Sequence, residues 1–226
     1  GTTYGKVIAQ FDKALGTTGV YQHIICVSEA VRQSFMSFPQ SYCKRLSVVH
    51  NGIEWTASTK TREHARQTLG LDSSDFIIAT VGRLKEQKNY PFLLRAVAGA
   101  PGVTLAIAGE GYLRPELEQL CLDLDIGTRV KFLGELGKNS LRDLLGAADA
   151  FVLASLFEGQ SNAVLEAMHQ GLPILVGDIP EQRETVADAE RTEEAALLAP
   201  LDDIEAWTTA LAKLRDDRGL REELGR

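Results

Sequence analysis

From about Asp75 the chain alternates short, continuous apolar runs with longer stretches in which apolar residues recur every three or four positions. The runs are "FIIATVG" (76–82), "VTLAIAG" (103–109), "RVKFLG" (129–134), "AFVLAS" (150–155), "PILVG" (173–177) and "ALLAP" (196–200). Runs of this length with no polar alternation predict strands buried on both faces, as in a parallel sheet. Between them "NYPFLLRAVAGA", "LRPELEQLCLDL", "NSLRDLLGAAD", "SNAVLEAMHQG" and "EQRETVA" read as helices, and "DDIEAWTTALAKLRDD" as a last one. Strand and helix in strict alternation predict right-handed βαβ units and a Rossmann-like, doubly wound α/β sheet.

The first 58 residues follow another pattern. A helix-like start leads to a strand "YQHIICVS" (21–28), a helix "SEAVRQSFMSF", a strand "LSVVH" (46–50) and an Asn51-Gly52 turn. The polar stretch "TASTKTREHARQ" then contains a linker. Two strands do not make a stable sheet alone. Residues 1–55 therefore read as the tail of a preceding domain with its hinge, and 56–226 as the domain built on the doubly wound sheet. The first residue is not Met, which fits an excised segment.

Composition adds limits. Of 226 residues, 44% are hydrophobic and 24% charged, enough for a core. A net charge of −7 argues against a nucleic-acid-binding face. Cys26, Cys43 and Cys121 are widely spaced, without metal-ligand or CxxC spacing, and read as reduced thiols of a cytoplasmic protein. No signal peptide opens the chain, and no apolar run approaches the ~18 residues of a membrane span.

In an open parallel sheet, ligands bind beyond the carboxyl ends of the strands. The first such loop, "VGRLKEQKN" (81–89), carries Arg83 and Lys88, with Lys85 between. A guanidinium fork and a compact ammonium at one strand end suit a diphosphate, although a solvated basic loop has the same composition. The second, "AGEGYLRPELEQL" (108–120), holds Gly109-Glu110-Gly111 before a helix. It has Arg114 where a dinucleotide fingerprint wants a third glycine, so a tight turn and a backbone close to a nucleotide explain Gly109 equally well. The third, "FEGQSNAVLEAMHQG" (157–171), places Glu158 on a loop, Ser161 as a helix N-cap and Glu166 one turn inside. Amides near Asn162, Ala163 and Val164 would face an anion. Glu166, among apolar neighbours, needs a hydrogen-bonding partner.

Together "ICVSEAVRQSF", "VVHNGIE", "VGRLKEQKN", "LAIAGEGYLRPELEQL", "VKFLGEL" and "ADAFVLASLFEGQSNAVLEAMHQGLPILVGDIPE" resemble the family 4 retaining glycosyltransferases over roughly residues 20–226. The most specific element is Glu-x7-Glu with an upstream Arg-x4-Lys. The resemblance implies the C-terminal, donor-binding half of a GT-B enzyme with a remnant of the N-terminal domain. It implies that Arg83 and Lys88 bind and stabilise the leaving diphosphate and that Glu158 faces the donor sugar. Glu166 would take the ribose hydroxyls, Ser161–Val164 would support phosphate, and Glu135 and Leu136 would lie along the base. It further implies a UDP-sugar donor (GDP-sugar as the alternative), no metal or other cofactor, and a glycan or lipid-linked acceptor held by the missing domain. Such a protein would be cytoplasmic, peripheral at the inner membrane face, and inactive as this segment alone, since relatives continue past "LREELGR" with a helix returning to the N-terminal domain. His50 stands where relatives often carry Pro, and Gln160 and Ser161 fall where they vary, so the sugar stays open.

Rival readings are a glycoside hydrolase, which shares the paired carboxylates, an NAD-binding oxidoreductase domain, a non-catalytic nucleotide-binding module, and a GT-B phosphorylase or epimerase. Asp123-x-Asp125 reads as the exposed end of a helix, not a metal site. His23, His50, His64 and His169 share no spacing for chemistry, Trp207 reads as core packing, and Trp55 as packing near the hinge.

Overall fold

The computed structural model describes residues 12–187 and 196–225. The chain divides into two compact units, Gly1–Gly52 and Ile53–Arg226. In the first, a helical stretch at residues 12–18 precedes a pair of parallel strands, β1 (Ile24–Cys26) and β2 (Leu46–Val48). The start of that expected helix, before residue 12, lies outside the described residues. Between the strands the helix Glu29–Ser34 is capped by Ser28, whose hydroxyl accepts from the Val31 amide. A second, short helix, Gln40–Cys43, carries Tyr42 into a cluster with Phe35 and Phe38, with ring centroids 5.9 and 5.0 Å from the tyrosine. Asn51-Gly52 is not a tight turn: residues 49–57 have no regular structure, and Gly52 has no positive φ. The dipeptide favours a turn only when strands on either side pair with each other, and here β2 pairs with β1.

The second unit is built on six parallel strands: β3 (Phe76–Val81), β4 (Val103–Ala108), β5 (Val130–Phe132), β6 (Ala150–Leu153), β7 (Ile174–Gly177) and β8 (Leu197–Ala199). Their order is β5-β4-β3-β6-β7-β8, so the chain winds outward from β3 and returns to start the other half beside it. β4, β6 and β7 are buried at every residue, which is why their sequences run apolar without alternation. The two faces feed two cores. Ile78, Leu105, Ile107 and Val152 pack with Leu93, Leu94 and Trp207 on one side. Ile77, Ala79, Phe151 and Leu153 pack with Leu144, Leu145 and Val164 on the other. Each of the branched and aromatic side chains among them contributes about 1.5–3 kcal/mol by burial. Trp207 is a core residue as expected; its indole donates to Pro200 O at 2.9 Å and meets Phe92 edge-on.

The expected linker "TASTKTREHARQ" is largely part of this unit. It supplies the helix Arg62–Thr68, capped by Thr61. Arg66 is only 4% exposed. Its guanidinium donates to Ala147 O, Asp72 O, Ser73 O and Asp75 O and pairs with Asp149 at 2.8 Å. Asp149 in turn accepts from the Ile77 amide. A charged residue at the centre of the contact surface hides the helix from any reading by hydrophobicity. Trp55 also belongs here: it packs on the core containing Ile77, donates to Gln170 Oε1 at 3.3 Å, and lies under the Arg142 guanidinium.

Candidate functional site at the carboxyl ends of the strands

The winding reverses between β3 and β6, the place where an open parallel sheet offers a crevice. The loop after β3 is fixed there by its own backbone. The Gly82 amide donates to Ala108 O, the Leu84 amide to Glu110 O, and the Leu113 amide to Leu84 O. Leu84 is fully buried, while Arg83 beside it is exposed. A 3-10 turn, Glu86–Lys88, ends at Asn89 with φ 52°, and the helix Tyr90–Ala98 begins at once. Asn tolerates that left-handed conformation better than most residues. Buried Tyr90 donates its hydroxyl to Gly82 O at 2.9 Å, and burial pushes its phenol well above the ordinary range, so it stays a donor.

The turn returns Lys88 over Gly82. A Cβ at residue 82 would lie 2.7 Å from Lys88 Cε, so the glycine makes room for the lysine stem immediately beside Arg83. Lys88 Nζ then pairs with Glu158 Oε1 at 2.6 Å, with both side chains about nine-tenths buried. The two motifs predicted from sequence therefore meet across the β3–β6 boundary. Arg83 has no side-chain partner among the described residues, leaving its donors to solvent.

Gly109 and Gly111 have a packing reason. Gly109 has φ +139°, and a Cβ there would sit 2.1 Å from Gly82 O; one at Gly111 would sit 2.3 Å from Leu84 O. The two loops touch backbone to backbone, which accounts for both glycines without a nucleotide.

After β6 the chain passes Glu158 to the helix Asn162–His169. Buried Ser161 caps it, its hydroxyl and carbonyl both accepting from the Val164 amide. The Val164 amide is thus engaged by the cap, while Ala163 has no such bond. Glu166 is half-buried, its carboxylate has no hydrogen-bonding partner among the described residues, and burial pushes its pKa up while nearby Lys138 pulls it down. Leu136 is half-buried against the core containing Leu144, and Glu135 is exposed.

Several members of this region carry no signal in the sequence. Thr80, near the end of β3, and Ser155, just past β6, are buried, and the Ser155 hydroxyl has no partner among the described residues. Lys138, on another helix, is the charge facing Glu166. Gln87 joins the two loops, its carbonyl accepting from the Leu156 amide and its side chain donating to Phe157 O, each at 2.8 Å.

Elsewhere the chemistry is quiet. A polar cavity of about 610 Å3 lined by Arg62, Asp149, Pro173 and Arg221 lies where β6 and β7 begin, at the opposite end of the sheet. Among the described residues no three His, Cys, Asp or Glu side chains converge for a metal; Asp123 accepts from Gln119 on its own helix. The cysteines are free, and burial raises the Cys26 thiol and pushes Cys121 to about 11, as for buried, unreactive thiols. No described helix is long and apolar enough to cross a membrane.

The sequence profile described as "Glycosyl transferases group 1" matches residues 61–226. A glycosyltransferase of Methanocaldococcus jannaschii, itself uncharacterized, is 31% identical over 69% of this chain and 42% of its own length. The UDP-Gal:alpha-D-GlcNAc-diphosphoundecaprenol alpha-1,3-galactosyltransferase of Escherichia coli is 31% identical over 78% of this chain and 46% of its own. The chain thus spans less than half the length of these curated relatives. Among solved structures, WaaG, a glycosyltransferase involved in lipopolysaccharide biosynthesis, superposes with TM-score 0.86 at 21% identity over 99% of this chain and 62% of that one. Anabaena Alr3699/HepE in complex with UDP and glucose does so at 0.82, also 21% identical, over 96% and 60%. These two likenesses concern the fold.

Proposed function

Since the chain belongs to the group 1 glycosyl transferases, we propose that it carries the donor half of an enzyme that moves a sugar from a UDP-sugar to a glycan or lipid-linked acceptor with retention of configuration. The observation that carries this reading is the Lys88–Glu158 ion pair, closed beside Arg83 at the point where the sheet reverses its winding. Breaking an anomeric C–O bond leaves positive charge on the sugar and negative charge on the departing diphosphate. Fixed cations at that diphosphate lower the barrier, because they need no reorganisation as charge develops. Arg83 supplies the exposed fork and Lys88 the buried point charge. Glu158, held by Lys88, faces the sugar. Glu166 accepts from the ribose hydroxyls, a role that suits a half-buried carboxylate with no hydrogen-bonding partner among the described residues. The helix start at Ser161, Asn162 and Ala163 backs the phosphate, Gly109 keeps the neighbouring loop close, and Leu136 lies along the base.

UDP is favoured over GDP because solved neighbours, named as complexes with UDP or UDP-glucose, share this fold. The acceptor class follows the lipid-linked substrate in the E. coli relative's name. In this reading the acceptor domain lies outside the chain, the segment is inactive by itself, the enzyme needs no metal, and it works in the cytoplasm at the inner membrane face. An NAD-binding reading is less well supported, because the space next to Gly111 is filled by the Leu84 backbone.

Calorimetry with UDP, GDP, ADP and NAD tests the proposal. We expect UDP to bind, and Arg83→Ala and Lys88→Ala each to weaken it about 10–100-fold, as for lost charge-assisted hydrogen bonds. Arg83 is exposed and unpaired, so Arg83→Ala should leave Tm unchanged. NAD binding more tightly than any nucleoside diphosphate would reverse the assignment.

A further inference from the structure

We propose that Gln87 is a positioning residue whose side chain sets where Glu158 meets Lys88; the inference deepens, and rests on, the reading of that pair as the donor site. Three consecutive links join segments 70 residues apart. Gln87 O accepts from the Leu156 amide at 2.8 Å, Gln87 Nε2 donates to Phe157 O at 2.8 Å, and Lys88 pairs with Glu158 at 2.6 Å. Residues 154–160 belong to no helix or strand, and Leu156 and Phe157, which directly precede the acid, are 48% and 59% exposed, so packing does not fix those two residues from outside. The Gln87 side is the rigid partner, tied to the sheet through buried Leu84, the left-handed Asn89 and the Tyr90–Gly82 bond. Position therefore passes from β3, through the turn and the Gln87 amide, to the loop carrying Glu158. The amide anchors the peptide group just ahead of the acid, where a small rotation would swing the carboxylate off the ammonium. A hydrogen bond that immobilises a neighbour acts by preorganising it, and small misplacements at a reacting centre are costly.

Gln87→Met tests this, since it keeps length and neutrality while removing the side-chain amide that bonds Phe157 O. Two readouts are taken on the whole chain: the Lys88 ammonium signal by nitrogen-15 NMR, and UDP affinity by calorimetry. We expect unchanged Tm, faster proton exchange at the Lys88 ammonium, and UDP bound about 3–10-fold more weakly, the range for one neutral hydrogen bond. In a Lys88→Ala background the same substitution should add no further loss, because its effect passes through the pair. An unchanged ammonium signal, or an equal affinity penalty in both backgrounds, overturns the positioning role. Faster ammonium exchange in a protein that does not bind UDP upholds the clamp and refutes the donor reading instead.

Discussion

Glu166 shows at the level of one residue how the proposed donor site would be kept ready at some expense to the fold. Burial pushes its carboxyl above the ordinary value of 4.5, against the pull of Lys138. An acid with a raised folded-state pKa binds its proton more tightly folded than unfolded. Stability therefore decreases as pH rises from the unfolded value through the folded one, and stays lower above it. Glu166→Gln removes that ionisation. We expect the variant to melt above the parent at neutral pH, with the difference closing below the ordinary carboxylate range, while UDP affinity drops about 10-fold or more for the lost charged acceptor. Thermal unfolding across a pH series checks the first part. A variant less stable than the parent at neutral pH would mean that the carboxylate is already satisfied by the protein. From sequence, Glu166 stood out as a carboxylate in apolar surroundings. Its neighbour Lys138 did not, because their proximity depends on how two helices stack on one face of the sheet.

Among the elements, the strands were the most legible part of the chain. Two-sided burial leaves a run such as "VTLAIAG" with no polar interruption, and β4 occupies six of its seven positions. The helix Arg62–Thr68 was not legible, since its contact surface is made by Ala65 and a charged Arg66. The loops after β3 and β4 fall between these cases: their motifs were visible, but the reason for Gly109 was not, because it depends on Gly82, a residue on another loop. Gly109→Ala should drive a Cβ into the Gly82 carbonyl in a backbone region disfavoured for alanine. We expect a loss of about 2 kcal/mol or more, read by urea denaturation. Gly52→Ala, with nothing within 4 Å, should stay within about 0.5 kcal/mol of the parent. Equal stability of the two variants would show that the paired loops separate freely.

For the molecule as a whole, every residue proposed for the donor site lies in the unit Ile53–Arg226, the unit that also holds Trp55, read from sequence as packing near the hinge. A chain of residues 53–226 should therefore bind UDP within about 3-fold of the full segment, a change small against the several kcal/mol of a nucleotide complex. Calorimetry on both proteins decides it, and loss of binding would assign part of the site to the first unit. Arg66 has one more consequence, for the history of the family rather than its chemistry. One guanidinium grips carbonyls at 72, 73, 75 and 147 together with the carboxylate of Asp149. Each connecting segment must deliver its oxygen to a common planar fork, so neither can gain or lose a residue without stranding a donor. Insertions and deletions that surface turns ordinarily tolerate should therefore be rare in these two, and homologues that keep the arginine should keep their lengths as well.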